Sequence, residues 1–248
     1  MNARFHAPAA EAGTVIALPD EEARHLARVL RLTAGAAVAV FDGRGHEFAA
    51  VVEHVSGDRV DVRVGAPRDA AAEPRVAITL AQAVLKGEKM DDVVRDAVMI
   101  GVAAIQPLLT VRTEISAAAI ERGRRQQRWQ RIAVSSAKQC GRAVVPAILQ
   151  PIAFERLPAA IEARGSAGVA LILVEPNATA GAVRLADVDP TPPRAAIIVI
   201  GPEGGWTAEE IAAAAGACQP VTLGARTLRA EAMATIAIAA LFTRWNEF

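Results

Sequence analysis

The pattern of hydrophobic and polar positions changes near residue 70. Before that point, short β-rich runs at residues 38–41, 47–54 and 59–64 are separated by glycine-containing turns. Residues 59–64 alternate polar and apolar side chains, which predicts a half-buried strand. Close turns and this alternation together predict a small β-barrel over residues 1–70.

One helix is predicted inside this first segment, over residues 20–32, with Asp20 as its N-cap after Pro19. Four apolar residues at helical spacing form its expected buried stripe: Ala23, Leu26, Ala27 and Leu30. Three arginines fall on another face of the same helix: Arg24, Arg28 and Arg31.

From residue 76 onward, nearly continuous apolar runs alternate with segments of helical spacing. The runs lie at residues 76–84, 105–109, 169–174, 195–200 and 220–223. Continuous apolar strands that alternate with helices are typical of a parallel sheet covered on both faces. The predicted fold is therefore α/β over residues 74–248, joined to the small N-terminal barrel by a linker at 68–74.

Composition narrows the class of protein. The chain has 248 residues, 52% of them hydrophobic and 22% charged, which excludes a disordered or fibrous protein. Two cysteines exclude a disulfide framework and a four-cysteine zinc site, and we expect no metal. No secretory signal is visible, and the longest uncharged stretch, 211–225, is shorter than the ~20 residues of a spanning helix. The sequence predicts a cytoplasmic protein without a membrane segment.

The formal net charge is zero, but the charges are unevenly distributed along the chain. Residues 112–142 carry eight basic side chains against two acidic ones, and the remainder carries 19 basic against 25 acidic. Arginine can bind phosphate oxygens through two parallel hydrogen bonds, and nucleic acids present phosphates along their backbone. We therefore expect structured RNA as the partner. An ordinary solvated helix face is the alternative. The expected RNA contacts are Arg24, Arg28, Arg31, Arg122, Arg124, Arg125, Arg128 and Arg142.

Two motifs follow predicted strands. The first is Gly201-Pro202-Glu203-Gly204-Gly205, which ends the strand at 195–200 and precedes a capping box at 207–210. Glycines at the carboxyl end of a strand let a ligand approach the backbone, although they could also form an ordinary tight turn. No Walker A or Gly-x-Gly-x-x-Gly sequence is present.

The second motif is Leu223-Gly224-Ala225-Arg226-Thr227-Leu228-Arg229-Ala230-Glu231, and it opens a helix predicted to end at about residue 245. Glu231 could complement the positive end of the helix dipole, and either arginine could be solvated. Because both motifs follow strands of the same predicted sheet, we expect them to lie side by side.

These two motifs together resemble the signature of the RsmE family of 16S rRNA (uracil-N3)-methyltransferases, in the SPOUT superfamily. Further segments match the family, among them His25-Leu26-Ala27-Arg28-Val29-Leu30-Arg31, Lys86-Gly87-Glu88-Lys89-Met90-Asp91 and Gln139-Cys140-Gly141-Arg142. Two departures are Lys138, where the family has Glu, and Ala232-Met233, where it has Thr-Ala.

The resemblance implies a PUA-like barrel, a SPOUT domain with a trefoil knot, and a homodimer. It implies S-adenosylmethionine as cofactor and the small ribosomal subunit as partner, with methylation at N3 of a uridine in 16S rRNA. Arg229 is expected to stabilise the uracilate, and Glu231 to accept the proton or orient Arg229. Backbone groups would hold the cofactor at Ile200, Gly201, Pro202, Glu203, Gly204, Gly205, Leu223, Gly224, Leu228 and Ala230.

Two alternatives stay open at this stage. The first is a SPOUT methyltransferase with another RNA target. The second is a non-catalytic rRNA-binding assembly factor, in which the two loops are only structural.

Overall fold

The computed structural model describes residues 3–163 and 168–248. The chain divides into two compact units. The first contains Met1–Glu73 and Val134–Val145, and the second contains Pro74–Ala133 and Pro146–Phe248. Residues 134–145 lie within the range predicted for the second domain, 74–248, but they belong to the first unit.

The first unit is a five-stranded sheet with strand order β1-β3-β4-β5-β2. Its strands are β1 (Arg4–His6), β2 (Val15–Ala17), β3 (Ala37–Phe41), β4 (Glu47–Ser56) and β5 (Arg59–Arg68). β1 pairs with β3 in parallel, and the other neighbours are antiparallel. The alternation along β5 buries Val60, Val62 and Val64 in one apolar cluster, so the strands predicted at 38–41, 47–54 and 59–64 are confirmed.

The helix of the first unit is shorter than predicted. α1 (Asp20–Arg24) continues into a π-helical turn, His25–Val29, and ends there. Pro19 is the N-cap, so the prediction that Asp20 caps the helix is wrong. Leu30, expected in the buried stripe, is 40% exposed. A π turn takes up an extra residue and therefore rotates the following side chains around the helix axis.

Arg4 connects the strands of the first unit to the segment 134–145. Its Nη1 donates to the carbonyl oxygens of Ala137 and Lys138, at 3.1 and 2.6 Å, and its Nη2 donates to Glu47 at 2.7 Å. Lys138, the residue that departs from the family pattern, donates from Nζ to Glu22 Oε2 at 2.6 Å. The lysine therefore has a carboxylate partner of its own in this protein.

The second unit is an eight-stranded sheet in which every pair of neighbours is parallel. Its strand order is β11-β13-β10-β12-β6-β7-β8, and β9 also pairs with β7. The strands are β6 (Ala77–Ala83), β7 (Ala104–Leu109), β8 (Ala147–Ile148), β9 (Ile152–Ala153), β10 (Gly168–Leu173), β11 (Val183–Arg184), β12 (Ala195–Ile200) and β13 (Gln219–Thr222).

Helices cover both faces of this sheet. The helices of the second unit are α2 (Lys89–Ile100), α3 (Ala117–Arg122), α5 (Leu157–Glu162), α6 (Ala208–Ala214) and α7 (Ala230–Arg244), and α4 (Arg125–Cys140) begins in the second unit and ends in the first. α2 packs on α7, and α7 contacts β6 and β12. Val199 of β12 joins the apolar cluster of α5 and α6, whereas its neighbour Ile198 points to the opposite face and is also buried.

The predicted fold class, a mostly parallel sheet with helices on both faces plus a small N-terminal β domain, is confirmed. The trefoil knot that the resemblance implies stays a prediction. Within residues 3–163 and 168–248, no helix is both long enough and apolar enough to cross a bilayer.

Candidate active site

The carboxyl ends of three neighbouring strands enclose a cavity of about 360 Å³. The strands are β13, β10 and β12, which lie side by side in that order. The segments that follow them supply most of the lining, at residues 173–176, 200–206 and 222–231. In open parallel sheets ligands bind at this edge, because the loops after the strands leave a crevice there.

The glycine-rich loop after β12 has no room for larger side chains. Gly205 has φ +70°, and a Cβ atom built on it would collide with the Glu175 carboxylate. A Cβ atom on Gly201 would stand 3.0 Å from Trp206 Cε2. The Trp206 indole is itself fixed, because its Nε1 donates to the carbonyl oxygen of Leu173 at 2.8 Å. Glycine at 201 and 205 therefore follows from close approach of these side chains.

Side chains from β6 and from the segment after β7 hold this loop. Arg112 Nη1 donates to the carbonyl oxygens of Gly204 and Trp206, at 2.5 and 3.2 Å. Gln82 Nε2 is 3.4 Å from the carbonyl oxygen of Gly201. The predicted capping box is confirmed, since Thr207 and Glu210 exchange both of its hydrogen bonds. The loop is thus anchored independently of any ligand.

Glu203 is the carboxylate at the centre of the loop. Its Oε1 accepts from Lys89 Nζ at 3.1 Å and from the backbone N–H of Lys86 at 3.2 Å. Burial opposes its ionisation, but hydrogen bonds from its own N–H, from Lys89 and from Lys86 outweigh burial and hold its pKa below the ordinary value. Glu203 is therefore ionised at neutral pH.

Arg229 and Glu231 lie together at the start of α7. Arg229 is the N-cap residue and its side chain is 84% exposed, and Glu231 occupies the first turn. Arg229 Nη1 stands 4.0 Å from Glu231 Oε1, and Lys89 Nζ stands 3.9 Å from Glu231 Oε2. Oε2 is buried and has no hydrogen-bond partner among the described residues. An unpartnered buried acceptor on the wall of a cavity suits a ligand that donates a proton or a hydrogen bond.

Most residues predicted to bind a cofactor line this cavity. They are Ile200, Gly201, Pro202, Glu203, Gly205, Leu223, Leu228 and Ala230. Gly204 is not among them, because its backbone faces Arg112. Gly224 lines a neighbouring cavity of about 560 Å³ instead.

The cavity also contains residues that were not predicted as site residues. They are Lys89, Leu173, Val174, Glu175, Pro176, Trp206, Thr222, Arg226, Thr227 and Met233. The run at 169–174 was predicted as a strand of the same sheet, so its carboxyl end could have been assigned to this edge. Lys89 lies in the segment Lys86–Asp91 that matches the family, but its place in the site depends on how α2 packs.

The arginines predicted to contact RNA differ in what they touch within the first unit. Arg24 and Arg31 are exposed, and their side chains make no hydrogen bond or ion pair with the residues at 3–163 and 168–248. Arg28 pairs with Asp58 at 2.6 Å. Arg142 is different, since only 5% of its side chain is exposed and it pairs with Glu73. Its expected place at an RNA-binding surface does not agree with this burial.

In the second unit, Arg122 and Arg124 are exposed and have no side-chain partner within the described parts of the chain. Arg125 donates to the carbonyl oxygen of Gly87 at 3.3 Å. Arg128 pairs with Asp91 at 2.5 Å. Acidic residues from outside the basic stretch therefore neutralise part of its charge excess.

Among the described residues, no group of three or more His, Cys, Asp or Glu side chains could hold a metal ion.

Comparison with known proteins gives consistent matches over both units. Residues 72–242 match a family model described as an RNA methyltransferase domain, and residues 18–65 match one described as an RNA methyltransferase PUA domain. Ribosomal RNA small subunit methyltransferase E of Synechocystis sp. is 30% identical over 226 residues, which are 90% of this chain and 71% of that protein. Its counterpart from Mycobacterium bovis is 28% identical over 242 residues, 95% of this chain and 90% of that protein.

A solved structure of the same type of protein is also similar. Ribosomal RNA small subunit methyltransferase E from Neisseria gonorrhoeae, bound to S-adenosyl methionine, is 34% identical and has a TM-score of 0.87. The match covers 99% of this chain and 98% of that one.

Proposed function

This chain belongs to the ribosomal RNA small subunit methyltransferase E family, and we propose that it methylates N3 of one uridine in 16S rRNA with S-adenosylmethionine. The observation that carries the proposal is the cavity at the ends of β13, β10 and β12. Both motifs line it, and it contains a buried carboxylate oxygen, Glu231 Oε2, that lacks a hydrogen-bond partner among the described residues.

The cavity suits a cofactor of this kind. Its volume lies within the range of ~300–1,000 Å³ common for small-molecule sites. Gly201 and Gly205 have no side chains, so a ligand can reach their backbone. Leu223 and Leu228 add apolar lining. Bound S-adenosylmethionine supplies a methyl group on a sulfonium, which is already a good leaving group. The backbone at 200–205 and 223–230 would hold it.

The protein's own groups then have two tasks, since the uracil N3 must lose a proton and the ring must tolerate the negative charge. Glu231 Oε2 takes the proton, because it is an acceptor with free lone pairs. Arg229, with its exposed guanidinium at the helix start, stabilises the charge that develops on the base. Helix capping remains the alternative role for Glu231, which also lies in the first turn of α7.

The exposed arginines would position the rRNA on the small ribosomal subunit, in the cytoplasm. Four of them have guanidinium groups without a partner within the described ranges: Arg24, Arg31, Arg122 and Arg124. Arg31 and Arg124 also have positive φ, 53° and 49°. Each follows the end of a helical segment, where a left-handed residue is a common way to end the helix.

A homodimer is supported by the composition of α7. Both sides of the helix are apolar: Ala234, Ala237, Ile238, Leu241 and Phe242 are buried, yet Ile236 is 43% exposed. A helix that is apolar on all sides is normally covered on all sides. We therefore expect a second copy of the chain to cover the outer face of α7.

Titration calorimetry with S-adenosylmethionine separates the enzyme from a non-catalytic assembly factor. The proposal predicts saturable binding at micromolar concentrations, whereas the absence of binding at millimolar concentrations would favour the assembly factor. A SPOUT methyltransferase with another RNA target would bind the cofactor but leave 16S rRNA unmodified.

Arg229→Ala tests the assignment of charge stabilisation. We expect methyl transfer to fall by about 100-fold or more, the usual loss for one donor to a developing anion, while binding of the cofactor and of RNA is retained. The control is Arg184→Met, which removes an exposed arginine that pairs with Asp187. Transfer at the wild-type rate by Arg229→Ala would contradict the role.

A further inference from the structure

Lys89, the first residue of α2, lies between two carboxylates that belong to different loops of the cavity. Its Nζ is 3.1 Å from Glu203 Oε1 and 3.9 Å from Glu231 Oε2. We propose that Lys89 is a positioning residue for methyl transfer, which holds the Glu231 carboxylate in place and leaves its Oε2 free to accept a proton. This inference rests on the proposed function, because it assumes the role given there to Glu231.

Lys89 is not explained by the stability of its own helix. A cation in the first turn is repelled by the positive end of the helix dipole. Asp91 and Asp92 in the same turn are attracted by it and stabilise the helix. A residue that opposes a local rule in this way is expected where function requires it. The position of Lys89 is therefore better explained by the two carboxylates than by α2.

The two distances give Lys89 different effects on its two partners. At 3.1 Å the ammonium donates a hydrogen bond to Glu203, which fixes the side chain of Lys89. At 3.9 Å it is too far to donate to Glu231, yet close enough to stabilise the negative charge there. Glu231 Oε2 thus has a neighbouring cation but accepts no hydrogen bond from the described residues. An oxygen that takes up a proton must be free of such bonds.

Arg229 cannot replace Lys89 in this task. It stands 4.0 Å from the other oxygen, Oε1, and its side chain is 84% exposed, against 38% for Lys89. Water screens the exposed guanidinium more strongly than the ammonium inside the cavity wall. Arg229 is also the group assigned to the charge on the base.

The glycine-rich loop keeps other anchors when the Lys89 ammonium is removed. Arg112 still donates to the carbonyl oxygens of Gly204 and Trp206, and the Lys86 N–H still donates to Glu203. Loss of the ammonium should therefore leave cofactor binding nearly unchanged. The effect is expected in turnover, through Glu231.

Lys89→Met removes the charge and keeps most of the volume of the side chain. We expect kcat to fall at least about tenfold, with the Kd for S-adenosylmethionine within about threefold of wild type. The thermal unfolding midpoint should stay equal or rise, since a cation is removed from the start of α2. Lys89→Arg should restore most of kcat. The matched control, Arg184→Met, removes an ion-paired cation of the same unit and should leave kcat unchanged.

A double-mutant cycle identifies the group through which Lys89 acts. If it acts through Glu231, then Lys89→Met in a Glu231→Gln background causes no further loss of kcat. Three results would overturn the inference. The first is an equal loss of kcat in both backgrounds, and the second is a wild-type kcat for Lys89→Met. The third is a lowered unfolding midpoint of Lys89→Met together with weakened cofactor binding. A wild-type protein that transfers no methyl group would instead contradict the proposed function itself.

Discussion

At the scale of single residues, one glycine in the cavity wall leaves the space that a carboxylate occupies. Glu175 follows β10, and its carboxylate lies where a Cβ atom on Gly205 would be. The glycine therefore both adopts a left-handed conformation and makes room for a side chain from a neighbouring strand. The motif indicated a glycine at 205, but only the packing of β10 beside β12 shows why a larger residue does not fit there.

Gly205→Ala should damage this wall. The new methyl group would displace the Glu175 carboxylate, and the left-handed backbone would add about 1–2 kcal/mol of strain. We expect the Kd for S-adenosylmethionine, measured by calorimetry, to rise at least about tenfold, which corresponds to ~1.4 kcal/mol.

Gly216→Ala is the control for this substitution. Gly216 follows α6, and no heavy atom lies within 4 Å of a Cβ atom built on it. The Gly216→Ala variant should bind the cofactor with the affinity of the wild type. Equal affinity in the Gly205 variant would contradict the described packing.

The charged residues show what a sequence pattern leaves open at this scale. Within the basic stretch at 112–142, Arg128 and Arg142 were predicted to contact RNA, but Arg142 pairs with Glu73 and Arg128 with Asp91. These acidic partners are distant in sequence and approach only through the fold. Local counting of charges could therefore identify the arginines but not the ones that are free to bind phosphate.

At the scale of elements, the long apolar runs were the most reliable signal. β6, β7, β10 and β12 coincide with predicted runs to within one or two residues, because strands buried on both faces need apolar side chains at every position. Short strands such as β8 and β9 have two residues each and leave no periodicity to detect. The π-helical turn after α1 also left no signal, which is why Leu30 was assigned to the wrong side.

The carboxyl end of α4 belongs to the first unit, and one side chain holds it there. Arg4 donates to carbonyl oxygens at the carboxyl end of α4 and pairs with the buried carboxylate of Glu47. Arg4→Met would leave Glu47 without this partner and these carbonyl groups without their donor. We expect the free energy of unfolding, measured with urea, to fall by about 3 kcal/mol.

The comparison for Arg4 is an exposed pair in the same unit. Arg59 pairs with Asp61 at 3.2 Å, and its side chain is solvated. Arg59→Met should change the free energy of unfolding by less than about 0.5 kcal/mol. Equal effects of the two substitutions would show that Arg4 does not hold the end of α4.

At the scale of the whole molecule, the fold class and both loops of the cavity could be predicted, but the composition of the first unit could not. The loops follow from a simple rule, since the carboxyl ends of neighbouring parallel strands share one edge. Residues 134–145 join the first unit through bridges such as Gly43 to Val144, which join segments about a hundred residues apart. No local pattern encodes such a pairing.

The family assignment agrees with the resemblance seen in the motifs, and it covers both units. The proposed product is 16S rRNA methylated at N3 of one uridine.

The most direct test uses small ribosomal subunits from cells that lack this protein. The subunits are incubated with the purified protein and deuterium-labelled S-adenosylmethionine, and the nucleosides of the 16S rRNA are analysed by mass spectrometry. We expect labelled 3-methyluridine, at one position, which is absent when the protein is omitted. No label in 16S rRNA, or label in any other nucleoside, would contradict it.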